Sequence, residues 1–129
     1  MKKFCFVFLI LPIFSAAQNF SKTDIIRYEQ RAKNVQIIRD TWGIPHVYGK
    51  TDADAVFGLL YAQCEDDFKR VEMNYIEKLG RRAEVNGEKD LYNDLLIRLV
   101  IDSADAIKDY NNANDTLKKI LNAFADGVN

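Results

Sequence analysis

RDTWGIPHVYG (Arg39 to Gly49), followed by LYAQCEDDFKRVE (Leu60 to Glu72) and GRRAEVNG (Gly80 to Gly87), is the part of the chain that decides its fold. It reads as a β-hairpin feeding a long helix that ends at a glycine-marked turn. Val35 to Arg39 is apolar and β-branched, and Thr41-Trp42-Gly43 turns the chain. Pro45 opens a second short strand through Val47 and Tyr48; lacking an N–H, it places that strand end at an edge or a bulge. Thr51 stands as an N-cap, with Asp52 and Asp54 at the positive end of the helix dipole. Phe57, Leu60, Tyr61, Cys64, Phe68, Val71, Tyr75 and Leu79 then recur at helical spacing until Gly80, which predicts one long amphipathic helix.

Working outward, a second helix is expected from near Asp90, with Leu91, Leu95 and Leu99 and further apolar residues to Ile107. The run Asn111, Asn112, Asn114 marks a break. A third helix carries Leu117, Ile120, Leu121, Phe124, Ala125 and Val128 on one stripe. Upstream, Ser21 followed by Asp24 starts a short helix in an otherwise polar lead segment, residues 18–34. The fold class is α+β: one hairpin and then three mostly amphipathic helices. The last stripe reaches Asn129 without a stop signal, so the domain is expected to be truncated there. There is no internal repeat and no low-complexity segment.

Residues 1–17 have the pattern of a secretory signal peptide. Lys2 and Lys3 form the charged n-region, Phe4 to Phe14 the apolar core, and Ser15-Ala16-Ala17 the small-residue cleavage site. That core is about half the ~20 residues a spanning helix needs, so no stable membrane anchor is expected. The expected location is outside the cytoplasm, periplasmic or secreted. Cleavage after Ala17 leaves 112 residues, enough for one modest core. It also leaves 16 basic against 19 acidic residues, a net charge of −3, which argues against a nucleic-acid partner. Cys64 is then the sole cysteine, so no internal disulfide is possible.

Self-sufficient chemistry is hard to find. His46 is the only histidine, and no serine sits in a GxSxG elbow. His46 reads as a hairpin residue bonded locally to backbone. Cys64 lies on the apolar stripe, where a thiol packs as a small hydrophobe. Glu65, Asp66 and Asp67 project in three directions from a helix and cannot converge on one ion. Their spacing instead predicts the pairs Glu65–Lys69 and Asp66–Arg70. Arg81 and Arg82 are expected to cap the last helix carbonyls and pair with nearby acids. No phosphate loop, zinc spacing or EF-hand is present. No residue is assigned a catalytic, cofactor-binding or metal-ligating role.

The chain resembles the opening of the penicillin acylase family of N-terminal-nucleophile hydrolases from about Val35 to Asn129. The residues that carry the likeness are Val35 to Asp40 with Gly43-Ile44-Pro45-His46; Ala62, Asp66 and Glu72; Gly80, Ala83, Glu84 and Gly87; and the closing AFADGVN. Two departures stand out: Asp67 replaces an arginine common after the helix aspartate, and Leu60 a common glycine. The wording AQCED is similar to the branch containing acyl-homoserine-lactone and aculeacin acylases. The resemblance implies a four-layer αββα sandwich, of which residues 35–129 are the start of the α chain. It implies an exported precursor cut autocatalytically, with the β chain of the same precursor as partner and a small-molecule amide as substrate. The β chain would begin with a serine whose own α-amine is the general base, and an asparagine would help hold the oxyanion. Calcium is possible in the full-length protein; no cofactor is expected within these residues. Arg39, His46, Asp66, Glu72 and Glu84 match family positions and are taken as scaffold.

The alternative is an exported, non-enzymatic helical binding module, complete as it stands. Stability separates the two. Produced by itself, the segment 18–129 is expected to bind ANS or aggregate, because its apolar stripes are patterned for partners outside it; cooperative thermal unfolding as a soluble monomer would favour the module.

Overall fold

A computed structural model describes residues 21–129; the proposed signal peptide and its cleavage site lie outside the described residues. The elements run α1 (Lys22–Ala32), β1 (Val35–Arg39), β2 (Pro45–Gly49), α2 (Asp52–Lys78), α3 (Arg82–Asn86), a 3-10 turn (Glu88–Asp90), α4 (Leu91–Val100), α5 (Ser103–Asn112) and α6 (Asp115–Val128). The predicted class holds: helices with one two-stranded antiparallel sheet.

Local chemistry explains the boundaries. Ser21, Thr51 and Asn114 each accept a hydrogen bond from the backbone N–H three residues on, the N-cap geometry that satisfies an orphan donor. At the other end of α2, Arg81 N–H bonds the Ile76 carbonyl and Gly80 N–H that of Glu77, a Schellman closure. Gly80 supplies the left-handed conformation, φ +61°, that this closure requires.

The hairpin pairs Val35 with Gly49 and Arg39 with Pro45, so proline sits at the end of the ladder as expected. Val35, Ile37, Pro45 and Val47 are the half-buried positions, and Gln36, Ile38, His46 and Tyr48 the exposed ones. An isolated hairpin is marginal in water, and this one is supported by α2. Its contact is close: a Cβ on Gly58 of α2 would stand 2.5 Å from Val35 Cγ1 and 2.7 Å from Val47 Cγ1. α6 makes the most extensive helix–helix packing with α2. A Cβ on its Gly127 would meet the Phe57 carbonyl oxygen at 2.6 Å and Leu60 Cβ at 2.9 Å. Phe57, Leu60, Ala62 and Ala123 form the buried apolar centre.

Three expectations are corrected. Helix α2 is not continuous: Asp67 has φ −156° and ψ 72°. Its carboxylate accepts from Arg70 N–H at 3.1 Å, so it starts the second half as a cap would. The helix expected from Asp90 to Ile107 is two helices. Ile101 is extended, and Asp102 Oδ1 accepts from Ala104 N–H at 2.8 Å to begin α5. The break expected at the asparagines falls at their end, since Asn111 and Asn112 finish α5 and Asn114 caps α6. The stripe of α6 is present but largely uncovered: α6 packs through Ala123, Asp126 and Gly127, while Leu117, Leu121 and Phe124 remain 39–44% exposed. Small side chains permit the close crossing, and the larger ones are left beside it. α4 likewise leaves Tyr92 and Leu99 more than four-fifths exposed.

Gly127→Ala separates packing from propensity. In a free helix it gains about 1 kcal/mol; here the methyl meets backbone, and a net loss of roughly 1–3 kcal/mol is expected in denaturant unfolding.

Candidate functional site

The hairpin turn is built around Asp40. Its Oδ1 accepts from Trp42 N–H at 2.8 Å and Ile44 N–H at 2.9 Å, and its backbone N–H bonds the Ile44 carbonyl. The Ile44 N–H, with that of Trp42 and the His46 ring behind it, holds the Asp40 carboxyl below its ordinary value of 3.8. His46 Nε2 lies 3.4 Å from Asp40 Oδ2. The histidine is thus a local hairpin residue, but its partner is a side-chain carboxylate rather than the expected backbone. Among the described residues no hydroxyl or thiol completes this pair into a nucleophile–base arrangement.

Beside the turn, Arg39 crosses from β1 to α2. Its Nη2 lies 2.7 Å from Glu65 Oε2 and 2.8 Å from Asp66 Oδ1, while Nη1 donates to the Gly43 carbonyl at 3.0 Å. One guanidinium therefore ties strand, turn and helix together. This replaces the predicted pairs Glu65–Lys69 and Asp66–Arg70. The interruption at Asp67 removes the helical register those pairs needed, and Arg70 turns to Asp67 instead, at 3.5 Å.

At the far end of α2, Arg81 pairs bidentately with Glu84 at 2.8 and 2.6 Å. Arg82 pairs with Glu77 and Asp90. The pairing expected of the doublet is present; the carbonyl capping falls to Arg98, whose Nε donates to the Gly80 carbonyl at 2.9 Å. Buried Asp94 accepts from the N–H groups of Arg82 and Ala83, tying α4 to the start of α3. Cys64 is half-buried, and burial pushes its thiol above the ordinary range, away from a reactive thiolate. Glu72 is exposed.

A network that sequence reasoning missed joins α1 to the end of α6. Asp126 accepts from Arg27 Nη2 at 3.0 Å and Arg31 Nε at 2.8 Å, and Arg31 Nη1 stands 4.0 Å from Asp54 of α2. The available signal was the i,i+4 spacing of Arg27 and Arg31, which puts both on one helical face. Beneath α1 lies an open, mainly apolar cleft of about 540 Å³, lined among others by Tyr28, Val35, Ile37, Phe57, Tyr61 and Gly127. Among the described residues no group of three or more His, Cys, Asp or Glu is placed to hold a metal ion. No helix among them is long and apolar enough to cross a membrane.

Arg39, Asp40, Glu84 and Asp126 thus serve turns and joints between elements rather than an active-site constellation, and the penicillin amidase family model matches residues 34–129. The chain belongs to the penicillin amidase family. It is 32% identical over 95 residues to penicillin acylase 2 proenzyme of Pseudomonas sp. (strain SE83), covering 74% of this chain and 12% of that protein. It is 34% identical over 98 residues to acyl-homoserine lactone acylase QuiP of Pseudomonas syringae pv. tomato, covering 76% of this chain and 12% of that protein. Thermostable penicillin G acylase from Alcaligenes faecalis shares the fold, with a TM-score of 0.65 at 23% identity over 73% of this chain and 50% of that one. The chain thus spans about an eighth of the length of the curated relatives it matches.

In this family member the hairpin turn carries a pH signature. A carboxyl lowered in the fold contributes stability that is complete above its ordinary value of 3.8 and is lost as pH falls through the lowered one. Hydrogen exchange at the Trp42 and Ile44 amides is expected to accelerate, beyond the intrinsic rate, below pH 3.8. Asp40→Asn keeps the acceptor oxygen and loses the charge, so the acid-dependent acceleration is expected to vanish in that variant.

Proposed function

We propose that this chain is the N-terminal part of an exported amidohydrolase that cleaves the linear side-chain amide of an acylated small molecule. The substrate class includes β-lactam antibiotics, N-acyl homoserine lactones and lipopeptides. The single observation behind the reading is the family match across residues 34–129, in a chain whose recognisable motifs serve structure. Relatives named as penicillin acylases and as acyl-homoserine lactone acylases both support an amide substrate, and leave the choice of acid and amine to residues elsewhere in the protein.

In this reading the nucleophile is a serine beyond Asn129, exposed at the start of a β chain by cleavage of the precursor. Its own α-amine, with a pKa near ~8, is partly neutral at working pH and takes the hydroxyl proton, so no histidine is required. Attack on the amide carbon gives a tetrahedral oxyanion held by backbone N–H and an asparagine side chain. The amine leaves, an acyl-enzyme forms, and water releases the acid. The role of residues 35–129 is to supply a hairpin and helices against which the β chain assembles. The signal peptide at 1–17 and an extracytoplasmic location belong to the same proposal, as does any calcium site.

The test is to read the gene downstream of the Asn129 codon and express the whole frame. A continuing frame with an internal serine at a processing junction is expected, and the processed protein should release free acid from a panel of N-acyl probes. Replacing that serine with alanine should abolish both cleavage and turnover. Residues 18–129 alone should release none; hydrolysis by that segment, persisting after rigorous purification, would overturn the proposal.

A further inference from the structure

The Arg27–Asp126–Arg31 network joins residues 99 and 95 positions apart, yet the helix it fastens contributes nothing to the core. α1 has no buried residue, and its Ile25 and Ile26 are about half exposed. It also lies before residue 34, where the family match begins. Its partner carboxylates are another matter: Asp126 is 7% exposed and Asp54 5%, on the two helices whose packing makes the core. Burying a carboxylate without a countercharge is expensive, and at Asp126 the countercharges come from α1. Asp54 has a local partner as well, the Thr51 hydroxyl at 2.8 Å. Arg27 is 48% exposed and itself carries a second carboxylate, Asp24, at 2.7 Å.

We propose that α1 is a strap, latched by charge to Asp126 at the end of α6 and walling one side of the open apolar cleft between the hairpin, α2 and α6, and that it opens as a unit while that core stays folded. Tyr28 and Ala32 form part of the cleft wall from the strap side, and Val35, Ile37, Phe57 and Tyr61 the rest. Opening widens the cleft into a broader apolar groove without disturbing a buried apolar side chain of α1, because α1 has none. Local opening of this kind is set by how few buried contacts an element makes. The latch consists of charge-assisted hydrogen bonds, stronger than neutral ones but open to competition from solvent ions on the exposed Arg27 side.

The strap is tested in the full-length protein with the protease Glu-C, which cuts after Glu29, and with hydrogen exchange compared at residues 22–32 and 57–62. In Asp126→Asn, and separately in Arg27→Gln/Arg31→Gln, cleavage at Glu29 and exchange at 22–32 are expected to rise about tenfold, from loss of charged hydrogen bonds. Exchange at 57–62 should stay unchanged. In the unaltered protein the same cleavage should rise with added salt toward about 1 M, where the screening length is about 3 Å. Unchanged cleavage in both variants overturns the proposal. So does a joint rise at 22–32 and 57–62, which would make α1 part of the core rather than a strap on it. If Asp126→Asn does not fold, the double glutamine variant, altered only on the surface helix, decides alone. These readouts are independent of turnover, so they stand or fall separately from the proposed amide hydrolysis.

Discussion

The hairpin and α6 are arranged around α2, and the arrangement depends on how closely the first half of α2 can be approached. Gly58 lets the hairpin side chains rest directly on one side, and Gly127 lets α6 lie against Phe57 and Leu60 on another. Close approach replaces area with intimacy. The buried apolar centre is only Phe57, Leu60, Ala62 and Ala123, so contact quality at those positions carries much of the cohesion. The polar groups follow from this geometry. With α6 drawn in, Asp126 is buried and must be answered by charge, and Arg27 and Arg31 answer it. With the hairpin drawn in, Arg39 comes within reach of Glu65 and Asp66.

The elements legible in the sequence were those set by neighbours along the chain. Ser21, Thr51, Gly80 and Pro45 announced boundaries through capping, left-handed geometry and a missing N–H, all properties of a few consecutive residues. The helix break at Asp67 was harder because the apolar spacing runs through it: Cys64, Phe68 and Val71 keep helical period on both sides. Side-chain capping by Asp67 overrides that period, and the competing signal is a single residue. Asp102 hid the next break in the same way, inside a run of apolar residues. The ion-pair network of Arg27, Arg31 and Asp126 depends on the docking of two helices far apart in sequence, which local pattern does not encode.

Several of the family-matching residues are joints. Arg39 ties the turn to α2, His46 leans on the carboxylate that shapes the turn, Glu84 holds the start of α3, and Asp126 binds α1 to α6. A family can keep such a pattern while its members act on different amides, since joints constrain the frame and leave the pocket free. α4 leaves Tyr92 and Leu99, and α6 leaves Leu117, Leu121 and Phe124, as exposed apolar faces.

Asp67 interrupts α2, but α6 spans the interruption. Gly127 of α6 lies against Phe57 and Leu60 before Asp67, and the Phe124 ring stands 6.2 Å from that of Tyr75 after it. One helix thus splints both sides of the break, so the direction in which the second half of α2 carries the α3–α4 cluster is set by α6 as well as by the backbone at Asp67.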